Sequence, residues 1–152
     1  MKRLSPHFTL EEFTVSQEAE RAGLVNEPGP AELANLQALA LRLEQVRALL
    51  GNAPILISSG YRSRDVNRKV GGSPTSWHMA GLAADFIAPA FGSPLTICAR
   101  IASSPIEYEE LGFEFSWVHF AITTARPGRR EVWTKGRAGY WPGLNGSRLF
   151  AA

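Results

Sequence analysis

The segment Ser76-Trp-His-Met-Ala-Gly-Leu-Ala-Ala-Asp85 places an imidazole and a carboxylate seven residues apart, with Gly81 and three alanines among them. Zinc takes imidazole nitrogen and carboxylate oxygen at about 2.0–2.2 Å, and a catalytic zinc site keeps three protein ligands and one open position. Seven residues bring two side chains together neither on one helical turn nor along a regular strand. They meet if a loop carrying His78 turns at Gly81 and feeds a strand ending near Asp85, the small residues letting the backbone pass close to its neighbours. A third ligand must come from elsewhere, and the chain has only two more histidines. His7 stands in the N-terminal arm. His119 stands in the alternating apolar segment Trp117-Val-His-Phe-Ala-Ile-Thr123. Alone, a histidine there reads as a core residue sooner than as a ligand; the His78 and Asp85 pair shifts that balance.

Other reactive side chains carry less on their own. Arg62, in the loop Ser59-Gly-Tyr-Arg62, reads in isolation as a surface ion-pair residue. Cys98 is the single cysteine, so the chain holds no internal disulfide and no cysteine metal cluster. Its apolar setting in Leu95-Thr-Ile-Cys-Ala-Arg-Ile-Ala102 marks it as a buried small hydrophobe.

The elements that must position these residues begin near the N-terminus, where Thr9-Leu-Glu-Glu12 fits a capping box that opens a short helix. A second helix is expected from Ser16 to Ala22, stopped by Gly23. Pro30 suits the first position of the longest helix, which runs to Leu50 and ends at Gly51. Leu33, Leu36, Leu39, Ala40, Leu43, Val46 and Leu50 recur along it at three- and four-residue steps, a core-packing stripe. After Gly51 the texture changes. Pro54 to Ser58 reads as a buried strand, Arg64 to Val70 as one or two helical turns, and Leu82 to Ile87 as a strand. Pro94 to Ser103 reads as a helix capped by Ser93, and Trp117 to Thr123 and Glu131 to Thr134 as strands. Helices first and strands mostly later predict an α+β fold, N-terminal helices packed on a small, mainly antiparallel sheet that carries the metal site.

The residues Ser58-Ser-Gly-Tyr-Arg-Ser63, Asn67, Val70-Gly-Gly72, Ser76-Trp-His78, Gly81, Ala83, Asp85 and Trp117-Val-His119 resemble the zinc D-alanyl-D-alanine carboxypeptidase family. That family includes bacteriophage lysis enzymes and shares its metal site with lysostaphin-type peptidases and hedgehog signalling domains. Upstream, Phe8-Thr-Leu-Glu-Glu-Phe13, Ser16, Ala19 to Gly23, Asn26 and the long helix resemble a branch common in phages and prophages. The likeness covers about residues 8–123. It implies that His78, Asp85 and His119 hold one Zn2+ per chain, that Arg62 binds a substrate carboxylate or carbonyl, and that Ser76 bonds the substrate backbone. The family commonly places Asp or Glu three residues before the last zinc histidine; here that residue is Ser116, which cannot act as a base. Glu114 is the candidate base instead, which requires a bend at Phe115–Ser116, since residues five apart on an unbroken strand face opposite sides. Glu109 and Glu110 are the runners-up and otherwise read as solvated charges.

The 152 residues read as one peptidase domain, with a helical region over 1–51, a metal-site core over 52–123 and a basic segment over 124–152. Net charge is +2, too small to argue for nucleic acid. The last segment concentrates Arg126, Arg129, Arg130, Lys135, Arg137 and Arg148 against Glu131 alone, either a face for an anionic polymer such as cell wall or a solvated basic edge. Trp133, Tyr140 and Trp141 read first as aromatics packing that segment on the core, with a sugar groove as the alternative. No apolar run is long enough to span a bilayer, and Met1 to Phe13 lacks the apolar stretch of a secretory signal. The expectation is a monomeric zinc peptidase made in the cytoplasm that cuts the stem peptide of peptidoglycan, as D,D-carboxypeptidase or endopeptidase, after release or from a phage particle. The competing expectation is a non-catalytic wall-binding or phage structural module that keeps the metal site, and Ser116 is the residue that favours it.

Overall fold

Arg3–Ser5 (β1) and Phe8–Thr9 (β2) form a small antiparallel pair that leads into two short helices, Leu10–Thr14 (α1) and Gln17–Ala22 (α2). The structure, a computed structural model, describes residues 1–146, so Arg148 of the basic segment lies outside the described residues. The capping box is present: the Glu12 carboxylate accepts from the Thr9 backbone N–H at 2.6 Å and from its hydroxyl at 3.1 Å. Ser16 Oγ accepts from Ala19 N at 3.1 Å and opens α2, which stops at Gly23. Pro30–Leu49 (α3) begins with its proline in the first turn, where a missing N–H costs nothing. Its stripe Leu36, Leu39, Ala40, Leu43 and Val46 is fully buried.

The second half alternates short elements: Leu56–Ser59 (β3), Arg64–Lys69 (α4), a 3-10 turn at Trp77–Ala80, Ala83–Ile87 (β4), Pro94–Ala102 (α5), Glu110–Phe113 (β5), Val118–Ala121 (β6), Glu131–Gly136 (β7) and Gly139–Pro142 (β8). The strands from β3 onward make one six-stranded sheet in the order β3-β4-β6-β5-β7-β8, antiparallel except for the parallel β5–β7 pair. The fold is α+β.

Alternation along the strands divides the sheet into two faces. Ala84 and Phe86 of β4, Leu111 and Phe113 of β5, and Val118 and Phe120 of β6 point to the helix side, into the cluster formed with α3 and with Ile97, Cys98 and Ile101 of α5. Their neighbours Asp85, Glu110, Gly112 and His119 therefore take the other face. Burial pushes the Cys98 thiol up to about 12, the state of an inert core cysteine.

Three sequence expectations take definite form here. The buried strand at Pro54 to Ser58 is instead an edge strand at Leu56–Ser59 with Leu56 half exposed, because only β4 pairs with it. The bend required at Phe115–Ser116 between Glu114 and His119 is the turn of a hairpin: β5 turns through Glu114 to Trp117 into β6, with Phe113 opposite Val118. In the basic segment two arginines are engaged, while Arg129, Lys135 and Arg137 stay exposed. Arg126 donates two hydrogen bonds to the Glu109 carboxylate, at 2.7 and 2.8 Å. Arg130 donates to the backbone carbonyls of Ala102, Ser104 and Ile106 just past α5, and its guanidinium stacks 4.5 Å from the Tyr108 ring centroid.

Candidate metal centre

One transverse row of paired residues crosses the exposed face of the sheet: Ser59 opposite Asp85, Asp85 opposite His119, His119 opposite Gly112, Gly112 opposite Trp133, and Trp133 opposite Pro142. Directly paired residues share a face. The pairing thus sets Asp85 and His119 side by side although they lie 34 residues apart in sequence.

His78 joins them from the 3-10 turn. Ser76 Oγ caps that turn by accepting from His78 N at 3.2 Å. Gly81 ends it in the left-handed conformation at φ 74°, and a Cβ there would stand 2.6 Å from the Glu32 carbonyl oxygen of α3. No side chain fits, so the turn between the two chemistry-bearing residues must be glycine. Asn35 Nδ2 donates to Ala80 O at 2.8 Å and fixes the same turn to the helix.

The three side chains form a buried cluster in which one ligand atom from each lies within 4.8 Å of the other two, close enough to share a metal ion. His119 Nδ1 is 3.1 Å and His78 Nε2 3.4 Å from Asp85 Oδ1. The remaining nitrogens are engaged: His78 Nδ1 donates to Gly60 O at 2.7 Å, and His119 Nε2 lies 3.0 Å from Glu110 Oε1. Donation from one ring nitrogen leaves the lone pair of the other aimed at the shared space, the usual support of a metal-bound imidazole. His78 Nε2 is buried without a hydrogen-bond partner, an arrangement that costs about 1–3 kcal/mol unless another acceptor of its lone pair arrives. Two imidazoles and one carboxylate suit zinc with a position left open. The residues fit the ion.

The electrostatics point the same way. Burial opposes the Asp85 charge, yet the two imidazoles hold its carboxyl well below the usual carboxylate range. Burial also opposes a charged His119, but hydrogen bonds to Asp85 and Glu110 carry it up to about 9. The surroundings of His119 thus favour positive charge at the cluster.

Arg62, Glu114 and Ser76 share the same open cleft of about 1360 Å³. Arg62 N donates to His78 O at 3.1 Å, which ties the arginine loop to the 3-10 turn. Among the described residues its guanidinium hydrogen-bonds only to Asn67 Oδ1, at 3.4 Å, and its buried Nε has no hydrogen-bond partner. Burial lowers its pKa, and the charges of Asp85 and Glu114 oppose that shift. Glu114 follows the last residue of β5 and continues the alternation Glu110, Gly112, Glu114 on the His119 face. The expected bend is there, with Phe115 at φ 62°. Glu114 accepts from Trp117 Nε1 at 3.0 Å, and burial with the nearby Asp85 charge pushes its pKa up.

The runner-up carboxylates are not solvated charges. Glu109 is buried in its pair with Arg126, and Glu110 is bonded to His119. Glu110 was legible only through the hairpin register, which sets it two residues from the glycine that faces His119. His7 pairs instead with Glu44 at 2.8 Å, in the N-terminal arm. Tyr140 and Trp141 do not pack down on the core: they are 65% and 49% exposed and, with Trp133, line the cleft.

The sequence model of the family described as Peptidase M15 matches residues 6–121, a span that holds every side chain of the cluster and ends before β7. No curated protein matches the chain.

Proposed function

The chain belongs to the M15 peptidase family, whose members are zinc-dependent metallopeptidases, and on that premise we propose that it hydrolyses an amide bond in the stem peptide of peptidoglycan. The observation that carries this is the buried Nε2 of His78, without a hydrogen bond among the described residues, gathered with Asp85 and His119 within 4.8 Å of one another in an open cleft. His78, Asp85 and His119 would hold the zinc. When bound, the ion supplies a Lewis acid that lowers the pKa of water toward about 7 and polarises a carbonyl.

The chain's own residues supply the rest. Glu114 takes the proton from the attacking water and returns it to the leaving amine; its raised pKa suits a group that must both accept and donate. Arg62, half-buried and with its guanidinium lightly engaged, presents a planar fork to a substrate carboxylate or to the oxyanion formed on attack. Ser76 accepts from His78 N and keeps its hydroxyl hydrogen for a substrate carbonyl. The non-catalytic reading rests on Ser116, and Glu114 in the cleft supplies the carboxylate that Ser116 lacks. Action on the wall after release, or from a phage particle, belongs to the same proposal and is supported by the phage-type motifs. Among the described residues no helix is long and apolar enough to cross a membrane.

Mass spectrometry of purified peptidoglycan after digestion tests the reading. Loss of one terminal D-alanine marks a carboxypeptidase, free stem peptide or split cross-links mark an endopeptidase, and either product must vanish with a chelator and return with zinc. Unchanged fragments with the zinc-loaded protein would overturn it.

A further inference from the structure

Trp133, Lys135 and Tyr140 belong to the β7–β8 hairpin, beyond the residues 6–121 that match the family. Pairing sets Trp133 beside Gly112 and Lys135 beside Tyr140, so all three share the face of His119. Ring centroids step from His119 to Trp133 at 5.2 Å and from Trp133 to Tyr140 at another 5.2 Å. Lys135 Nζ lies 5.2 Å from the Tyr140 ring centroid. Singly exposed aromatics are ordinary on protein surfaces. Here the exposed Tyr140 ends a continuous row of rings that starts at the buried candidate ligand His119, passes through the partly buried Trp133 along one cleft and finishes on the last strand of the sheet. The cleft also exceeds the roughly 300–1,000 Å³ of a small-molecule pocket, as suits a chain lying along it.

We propose that this hairpin is a substrate subsite that grips an extended peptide to one side of the cleaved bond, Tyr140 packing on the chain and Lys135 pairing an acidic group of it. The two ring steps place Tyr140 at most about 10 Å from His119, and an extended chain advances about 3.3–3.6 Å per residue, so Tyr140 meets the chain within about three residues of the bond and Lys135, 5.2 Å from that ring, takes an acidic group at or next to that residue. An exposed ammonium at the cleft wall selects a negative partner by charge complementarity. The inference rests on the peptidase reading but not on which bond is cut.

The test uses the full zinc-loaded chain and synthetic stem-peptide fragments of increasing length, each with its side-chain carboxylate free or amidated. KM is read for fragments that are cut and calorimetric affinity for those that are not, so a protein that binds without turnover refutes the hydrolase reading alone. Binding is expected to tighten by about tenfold once a fragment reaches the third residue, the effect of one well-placed anchor. Amidation should remove most of that gain. Tyr140→Ala and Lys135→Gln should each abolish the gain, read as the ratio of long- to short-fragment binding so that any effect of Lys135 on Glu114 cancels, and leave the melting temperature unchanged. No gain with length, a gain that survives both substitutions, or binding only of sugar-linked fragments overturns the subsite.

Discussion

The indole of Trp133 occupies the space that a side chain at Gly112 would fill: a Cβ there would stand 2.2 Å from the ring. The glycine on β5 is thus what lets a residue of β7 reach across and touch the ring of His119. Gly112→Ala is expected to destabilise the fold by about 1–3 kcal/mol through overpacking, since an indole cannot give way as a flexible chain end would. Trp133→Ala in the same chain should restore some of that loss. Urea denaturation of the two single variants and the double variant measures the coupling; strictly additive effects would mean that the two residues do not compete for one space.

The second prediction concerns the proton that stands where a metal belongs. His119 titrates at about 9, above the ordinary 6.5, because hydrogen bonds to Asp85 and Glu110 outweigh the burial that opposes its charge. A raised pKa contributes stability that is fully present below about pH 6.5 and lost as pH rises through about 9. Chelator-treated protein should therefore lose up to about 3 kcal/mol across that window. The lowered pKa of Asp85, owed to His78 as well as His119, contributes stability that is lost only as pH falls below the ordinary carboxylate value of 3.8, outside this window. Zinc must displace that proton, so its affinity should weaken by about tenfold for each pH unit that the pH falls below 9. Melting curves with and without chelator from pH 6 to 9.5 decide it: parallel curves would remove the proton from the cluster. His78→Ala, Asp85→Ala and His119→Ala should each lose stoichiometric zinc.

Glu110 should matter to the metal without touching it. Its carboxylate holds the far nitrogen of His119, and removing such a partner costs about 10–100-fold in metal affinity. Glu110→Ala is expected to show that loss in chelator competition while still reaching one zinc per chain at saturation. Unchanged affinity would make the 3.0 Å contact incidental.

Glu114→Gln separates a proton acceptor from a mere neighbour. The amide keeps the size and the bond to Trp117 but cannot take a proton, so turnover should fall by about 10²–10⁴ with zinc content unchanged. Activity within about threefold of the parent chain would leave the reaction without this base and return attention to Arg62 and the ion alone.

The chain's own letters carried the features of this site that depend on near neighbours. Helix starts at Thr9, Ser16, Pro30 and Ser93 were readable because caps act within three residues. The His78–Asp85 pair was readable because one glycine turn joins them. What stayed hidden depends on partners far away in sequence. Glu110 has meaning only through a hairpin whose turn lacks the usual glycine signal and instead puts Phe115 in the left-handed region. Strand β5 was missed because Gly112 breaks its pattern, and the reason for that glycine lies 21 residues later, in Trp133. The bend at Phe115 was legible as a need of Glu114, but that it is a hairpin turn between two paired strands was not.

The two turns that bear on His78 both rest on the N-terminal helices. Gly60, whose carbonyl receives His78 Nδ1, passes so close to Phe13 at the end of α1 that a Cβ would meet its carbonyl oxygen at 2.5 Å; Gly81 does the same against Glu32 of α3. Those helices are therefore jigs that hold one histidine at its working angle. The sheet cannot be lifted out and grafted elsewhere as a self-sufficient catalyst. Any chimera or trimmed version has to carry both helices with it, or replace both contact surfaces to within the width of a methyl group.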